Sequence, residues 1–188
     1  MDAFLISTGI VALAEIGDKT QLLAFLLAAR YKRPWTIVLG ILLATVANHV
    51  LAALLGGWLT TLFAAETLRW ILGISFIAMA LWILVPDSLD ASETAGMPRW
   101  GVFGTTLLAF FLAEMGDKTQ IATVALAAQY QSFFMVVMGT TLGMMIANAP
   151  AVFVGERLAS RVPVKWVHVA ASLIFIVLGL CVLAGFEV

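Results

Sequence analysis

Leu13-Ala14-Glu15-Ile16-Gly17-Asp18-Lys19-Thr20-Gln21 occurs twice in this chain, returning as Leu112-Ala113-Glu114-Met115-Gly116-Asp117-Lys118-Thr119-Gln120 with one conservative change, Ile16 to Met115. Each copy lies inside an apolar run long enough to cross a bilayer. Ionisable side chains are costly there and mark functional sites by default. The rest of the sequence reads as the scaffold that sets these two stretches opposite each other in a membrane.

The composition agrees. Of the 188 residues, 63% are hydrophobic and only 11% charged, too little polar surface for a soluble globule. The net charge of −1 and the lack of any basic run give no footing for nucleic acid. The single Cys181 excludes an intrachain disulfide and a thiolate metal site. Met1-Asp2 carries no positive n-region, so the N-terminal apolar stretch reads as a retained membrane segment rather than a signal peptide.

Apolar runs of about 20 residues, enough for roughly 30 Å of hydrocarbon, fall near 3–29, 35–58, 67–85, 101–128, 133–156 and 164–185. They are continuous rather than alternating, so they predict helices and not barrel strands. Arg30-Tyr31-Lys32-Arg33-Pro34 separates the first two, and a polar stretch from Pro86-Asp87-Ser88 to Pro98-Arg99-Trp100 divides the chain. The halves match at a spacing of 99 residues: Phe4 with Phe103, Ala28-Ala29 with Ala127-Ala128, Tyr31 with Tyr130, Val38-Leu39-Gly40 with Val137-Met138-Gly139, and Gly56 with Gly155. After a one-residue shift, Ala47-Asn48 matches Ala147-Asn148. Three helices per copy is an odd number, so successive copies enter the membrane from opposite sides. The expectation is an all-α membrane protein with six transmembrane helices as two inverted three-helix repeats, 1–85 and 101–188, joined by a central loop at 86–100.

Basic residues set the orientation. Arg30, Lys32, Arg33, Arg99, Arg157, Arg161 and Lys165 share one side and Arg69 stands alone on the other, which places both termini outside the cytoplasm. The acidic Asp87, Asp90 and Glu93 of the central loop do not help this assignment.

On a continuous helix Glu15 and Asp18 face the same way, as do Glu114 and Asp117. Four carboxylates then converge if the two motif helices meet. Gly17 and Gly116 permit a local unwinding or a close helix approach. Thr20, Gln21, Thr119 and Gln120 are further candidate oxygen ligands, and Asn48 and Asn148 are candidates from the neighbouring helices, with interhelical hydrogen bonding as the competing role. Such an oxygen-rich set suits a hard divalent cation, Ca²⁺ or Mn²⁺, whereas zinc or copper would bring His or Cys. Four carboxylates and the two lysines Lys19 and Lys118 leave a local charge of about −2, which one divalent cation or bound protons neutralise. That is a physical route to cation/proton exchange. Lys19 and Lys118 read either as internal counter-ions or as snorkelling side chains.

Other residues have plainer readings. His49 is a hydrogen-bonded packing residue before it is a proton relay, and Met144-Met145 fill space before they ligate metal. The six tryptophans form an interfacial belt, and the Glu156–Arg157 and Glu66–Arg69 sets are solvated pairs.

The doubled Glu-x-Gly-Asp-Lys-Thr closely resembles the Glu-x-Gly-Asp-(Lys/Arg)-(Thr/Ser) signature of the small calcium/manganese cation-proton exchanger family, which includes Golgi manganese/calcium transporters and bacterial MneA-type manganese exporters. The resemblance spans essentially the whole chain. It implies that Glu15, Asp18, Glu114 and Asp117 are the cation-binding acids, that Thr20 and Thr119 are the motif hydroxyls and that Lys19 and Lys118 fill its basic position. It also implies no enzymatic activity and no cofactor, with Mn²⁺ or Ca²⁺ as transported substrate exchanged for protons. The short chain looks like a prokaryotic member, placed in the inner membrane, and a homo-oligomer is allowed. Two other functions fit less well: export of a small cationic solute such as a basic amino acid, and an intramembrane lipid-pyrophosphate phosphatase. The phosphatase would want a nucleophile or phosphate-binding arginines beside the acids.

Overall fold

The computed structural model describes residues 1–85, 100–154 and 164–186. Residues 86–99 of the expected central loop, Gly155, the Glu156–Arg157 pair and the orienting Arg99, Arg157 and Arg161 lie outside the described residues. Every described element is helical: α1 (Asp2–Glu15), α2 (Lys19–Tyr31), α3 (Pro34–Leu62), α4 (Ala65–Ile83), α5 (Gly101–Glu114), α6 (Lys118–Tyr130), α7 (Phe133–Val154) and α8 (Val164–Leu183). Four of these, α3, α4, α7 and α8, are long and apolar enough to cross a bilayer singly.

The runs 3–29 and 101–128 are not the continuous helices that their hydropathy predicts. Each divides at its motif, α1 from α2 and α5 from α6. The cause is the glycine. Gly17 (φ +84°) and Gly116 (φ +76°) take the left-handed conformation that side chains disfavour, and the chain restarts at Asp18 and Asp117 in extended geometry. The carboxylates of each copy therefore do not share a helical face at i and i+3. Glu15 and Glu114 end one helix, and Asp18 and Asp117 cap the start of the next.

Packing crosses between the halves. α1 runs along α7 and α5 along α3; α2 also meets α7, and α6 meets α3. Small residues allow the approach. A Cβ on Gly40 would lie 2.9 Å from Thr106 in α5, and one on Gly139 would lie 3.0 Å from Ser7 in α1. The two contacts are 99 residues apart on both sides. α3 and α7 cross at the centre, and α4 and α8 pair with each other beside this core. Large apolar side chains such as Leu51, Leu81, Leu173 and Val177 point outward, as a surface in contact with lipid requires. Trp35, Trp100 and Trp166 are exposed at helix starts.

Candidate cation site

Breaking a helix leaves backbone groups to satisfy, and the motif does this with its own side chains. Gln21 Oε1 accepts from Gly17 N–H at 3.1 Å, and Gln120 Oε1 accepts from Gly116 N–H at 2.7 Å. Asp18 N–H and Asp117 N–H close tight turns onto Glu15 O and Glu114 O, at 3.1 and 3.2 Å. Thr20 Oγ1 donates to Glu15 Oε2 at 2.7 Å and Thr119 Oγ1 donates to Glu114 Oε2 at 2.9 Å. The threonine, glycine and glutamine of each copy thus hold its break and aim its glutamate.

The two breaks face each other at the centre of the protein. Carboxylate oxygens of Glu15, Glu114 and Asp117 lie within 4.8 Å of one another, and all three residues are buried. Asp18, equally buried, enters through a charge pair, and the pairing is exchanged between copies: Lys118 Nζ is 3.6 Å from Asp18 Oδ1 and Lys19 Nζ is 3.5 Å from Asp117 Oδ1. The lysines are counter-ions, each to the aspartate of the other copy. The N-termini of α2 and α6 also begin at these aspartates, where the helix dipole favours negative charge.

Asn148 joins the acids from α7, donating through Nδ2 to Glu15 Oε2 at 3.3 Å. Asn48 does not mirror it. Its Nδ2 donates to Phe111 O at 3.1 Å, a carbonyl at the end of α5, and its Oδ1 accepts from Gln120 Nε2 at 3.4 Å. Gln21 Nε2 donates to Ala147 O at 3.0 Å. Both glutamine oxygens thus also hold a break, and both threonine hydroxyls, donating to the glutamates, keep their own lone pairs. Glu15 Oε1, Glu114 Oε1 and Asn148 Oδ1 are among the buried oxygens at the centre that have no hydrogen-bond partner among the described residues and so keep unused acceptor capacity. A divalent cation coordinated by oxygen fits that donor set.

His49 contacts Thr141 Oγ1 through Nδ1 at 3.5 Å, the plainer of its two expected roles. Met144 Sδ lies 2.9 Å from Asn148 Nδ2, so the thioether stands behind the amide. Sequence reasoning missed His168, whose Nε2 is 2.8 Å from Ile16 O inside the first break. The contact joins residues far apart in sequence, and no motif surrounds His168.

Comparison with known proteins agrees with this chemistry. The family model described as divalent cation/proton antiporter GDT1 matches residues 3–91 and 102–186. A Vibrio cholerae protein named "Putative manganese exporter" is 47% identical over 96% of this chain and 90% of its own length. A GDT1-like protein of Synechocystis is 32% identical, covering 93% of each chain. The divalent cation/proton antiporter GDT1 of Saccharomyces cerevisiae is 25% identical over 96% of this chain and 82% of its own. No solved structure matches. These matches put the chain among membrane transporters rather than enzymes, which removes the phosphatase reading: it belongs to the GDT1 family of divalent cation/proton antiporters.

Proposed function

We propose that this protein exports Mn²⁺ from the cytoplasm in exchange for protons, with Ca²⁺ as a second substrate, by alternating access to the central carboxylates. In this reading the broken pairs α1–α2 and α5–α6 each make one span, giving six spans in two inverted repeats, 1–85 and 101–188. Both termini lie outside the cytoplasm of a prokaryotic inner membrane.

The observation that carries the reading is the exchanged ion pairing. Lys118 neutralises Asp18 and Lys19 neutralises Asp117, which leaves the charge of about −2 on Glu15 and Glu114. One divalent cation cancels it. With no cation, two protons do so, one on each glutamate. Either load crosses the membrane without net charge, and an unloaded site carries an uncompensated buried charge that opposes the transition. Glu15, Glu114, Asp117 and Asn148 then supply the cation ligands, and Asp18 sets the charge balance through Lys118. Manganese is favoured over calcium by the name of the Vibrio relative.

The test is flux in proteoliposomes under an imposed pH gradient, with Mn²⁺ and Ca²⁺ offered separately and an internal pH dye read in parallel. Metal movement coupled to opposite proton movement supports the exchanger and ranks the metals. Inserted protein that moves neither metal removes the proposal and favours a small organic cation as the substrate.

A further inference from the structure

The two breaks are equivalent in sequence but not in cover. At the first, the Val164 side chain presses on the position that a Gly17 Cβ would occupy, and Ile16 O accepts a hydrogen bond from His168 Nε2 at 2.8 Å. Lys118 Nζ, paired with Asp18, also lies 3.4 Å from Val85 O. The start of α8 and the residues just after α4 thus cover this face. At the second break no heavy atom of the described residues lies within 4 Å of a Cβ built on Gly116, and Met115 is 56% exposed where Ile16 is half-buried. Lys19 is 19% exposed against 3% for Lys118.

The 99-residue spacing maps the covering residues onto the opposite ends of the same two helices: Val164 onto Ala65, His168 onto Arg69, Val85 onto Ala184. Those ends lie together, with Arg69 Nη1 3.3 Å from a Cβ built on Gly185. Arg69 Nε is buried with no hydrogen-bond partner among the described residues. Midway along the pair, Phe76 meets Phe175 with ring centroids 6.1 Å apart, both buried. The same spacing maps these two residues onto each other, so the ring pair lies on the pseudo-two-fold axis. Gly73 and Gly179 bring the two backbones close beside it.

We infer that α4 and α8 form a rocker, pivoting at Phe76–Phe175, that closes one break at a time. In the state described here α8 closes the first break, held by His168 on Ile16 O. In the opposite state Ala65 covers Gly116, Arg69 donates to Met115 O, and Lys19 reaches Ala184 O. His168 and Arg69 are positioning residues: they touch backbone carbonyls at the breaks and neither the cation nor the carboxylates. The inference rests on the alternating-access reading and names the element that alternates.

The test uses double-cysteine variants of the full chain with Cys181→Ser. One carries Ile16→Cys with Val164→Cys, the other Met115→Cys with Ala65→Cys, so His168 and Arg69 stay intact. The first pair is expected to cross-link at rest and the second during turnover; each cross-link stops flux, and reduction restores it. His168→Leu and Arg69→Met, added singly, are expected to shift the ratio of the two cross-links in opposite directions by about two- to tenfold, the weight of one hydrogen bond. A purely structural role would lower both cross-links together, and that result overturns the inference. So does failure of the 65–115 pair to cross-link in protein that transports. If both pairs cross-link in protein that moves no metal, the rocker stands and the transport proposal falls.

Discussion

Gly17→Ala and Gly116→Ala impose the same backbone conflict in different surroundings, and the difference between them can be sized. A side chain in the left-handed conformation costs about 1–2 kcal/mol, and both glycines are in it. For a chain of this size each kcal/mol lowers Tm by about 2–4 °C. Gly116, whose Cβ would meet none of the described residues, is therefore expected to lose about 2–8 °C. Gly17 bears the same cost plus overlap with Val164, and overpacking of that kind adds about 1–3 kcal/mol, a further drop of about 2–12 °C. The assay is thermal unfolding of purified protein in detergent, followed by intrinsic fluorescence. Adding Val164→Ala to Gly17→Ala should recover the extra loss and bring the double variant to the Gly116→Ala value, the coupling expected of residues in contact. Equal melting temperatures for the two single variants would refute the claim that α8 seals the first break, and unchanged values for both would refute the left-handed breaks.

Glu15→Gln and Glu114→Gln each remove one of the two exchangeable charges, so each is expected to abolish coupled metal/proton flux in proteoliposomes while the protein still elutes as a single folded species; wild-type flux in either would take that glutamate out of the mechanism. Asp18→Asn takes the charge from a pair with the buried Lys118 and is expected to cost more stability than Asp117→Asn, whose partner Lys19 is more exposed; the order of their melting temperatures checks this, and Lys118→Met should restore stability to Asp18→Asn without restoring transport. Thr119→Val leaves Glu114 Oε2 without its donor and should weaken metal binding, read by isothermal titration, by an amount equivalent to about 1–3 kcal/mol, while Thr119→Ser stays near wild type. Binding unaltered in the valine variant would show that the hydroxyl does not aim the carboxylate.

Much of the site was legible because the motif is repeated and the membrane makes its charges conspicuous: Glu15, Glu114 and Asp117 do converge, as their doubled pattern implied. The break was half legible. Glycine allowed unwinding, but hydropathy averages over the run, and the apolar residues on both sides of Gly17 concealed that Glu15 and Asp18 belong to different helices. The exchanged pairing of Lys19 with Asp117 and Lys118 with Asp18 was not legible at all. Adjacent lysine and aspartate read locally as partners, and only the facing of the two copies brings each lysine to the aspartate of the other. Asn48 and Asn148 separate for a similar reason: equal sequence context leads to different partners because Phe111 O lies near one and Glu15 near the other.

The packing of each motif pair on the long helix of the other half bears on how such a chain could have arisen. With α1 and α2 seated on α7, and α5 and α6 on α3, either half by itself lacks the surface against which its own broken helix is supported, and it carries half of the acids. Before duplication and fusion, an ancestor of one half would have worked only as a pair of subunits. By the same logic, residues 1–85 and 101–188 expressed as separate polypeptides in one cell should stabilise each other, while either alone should be degraded.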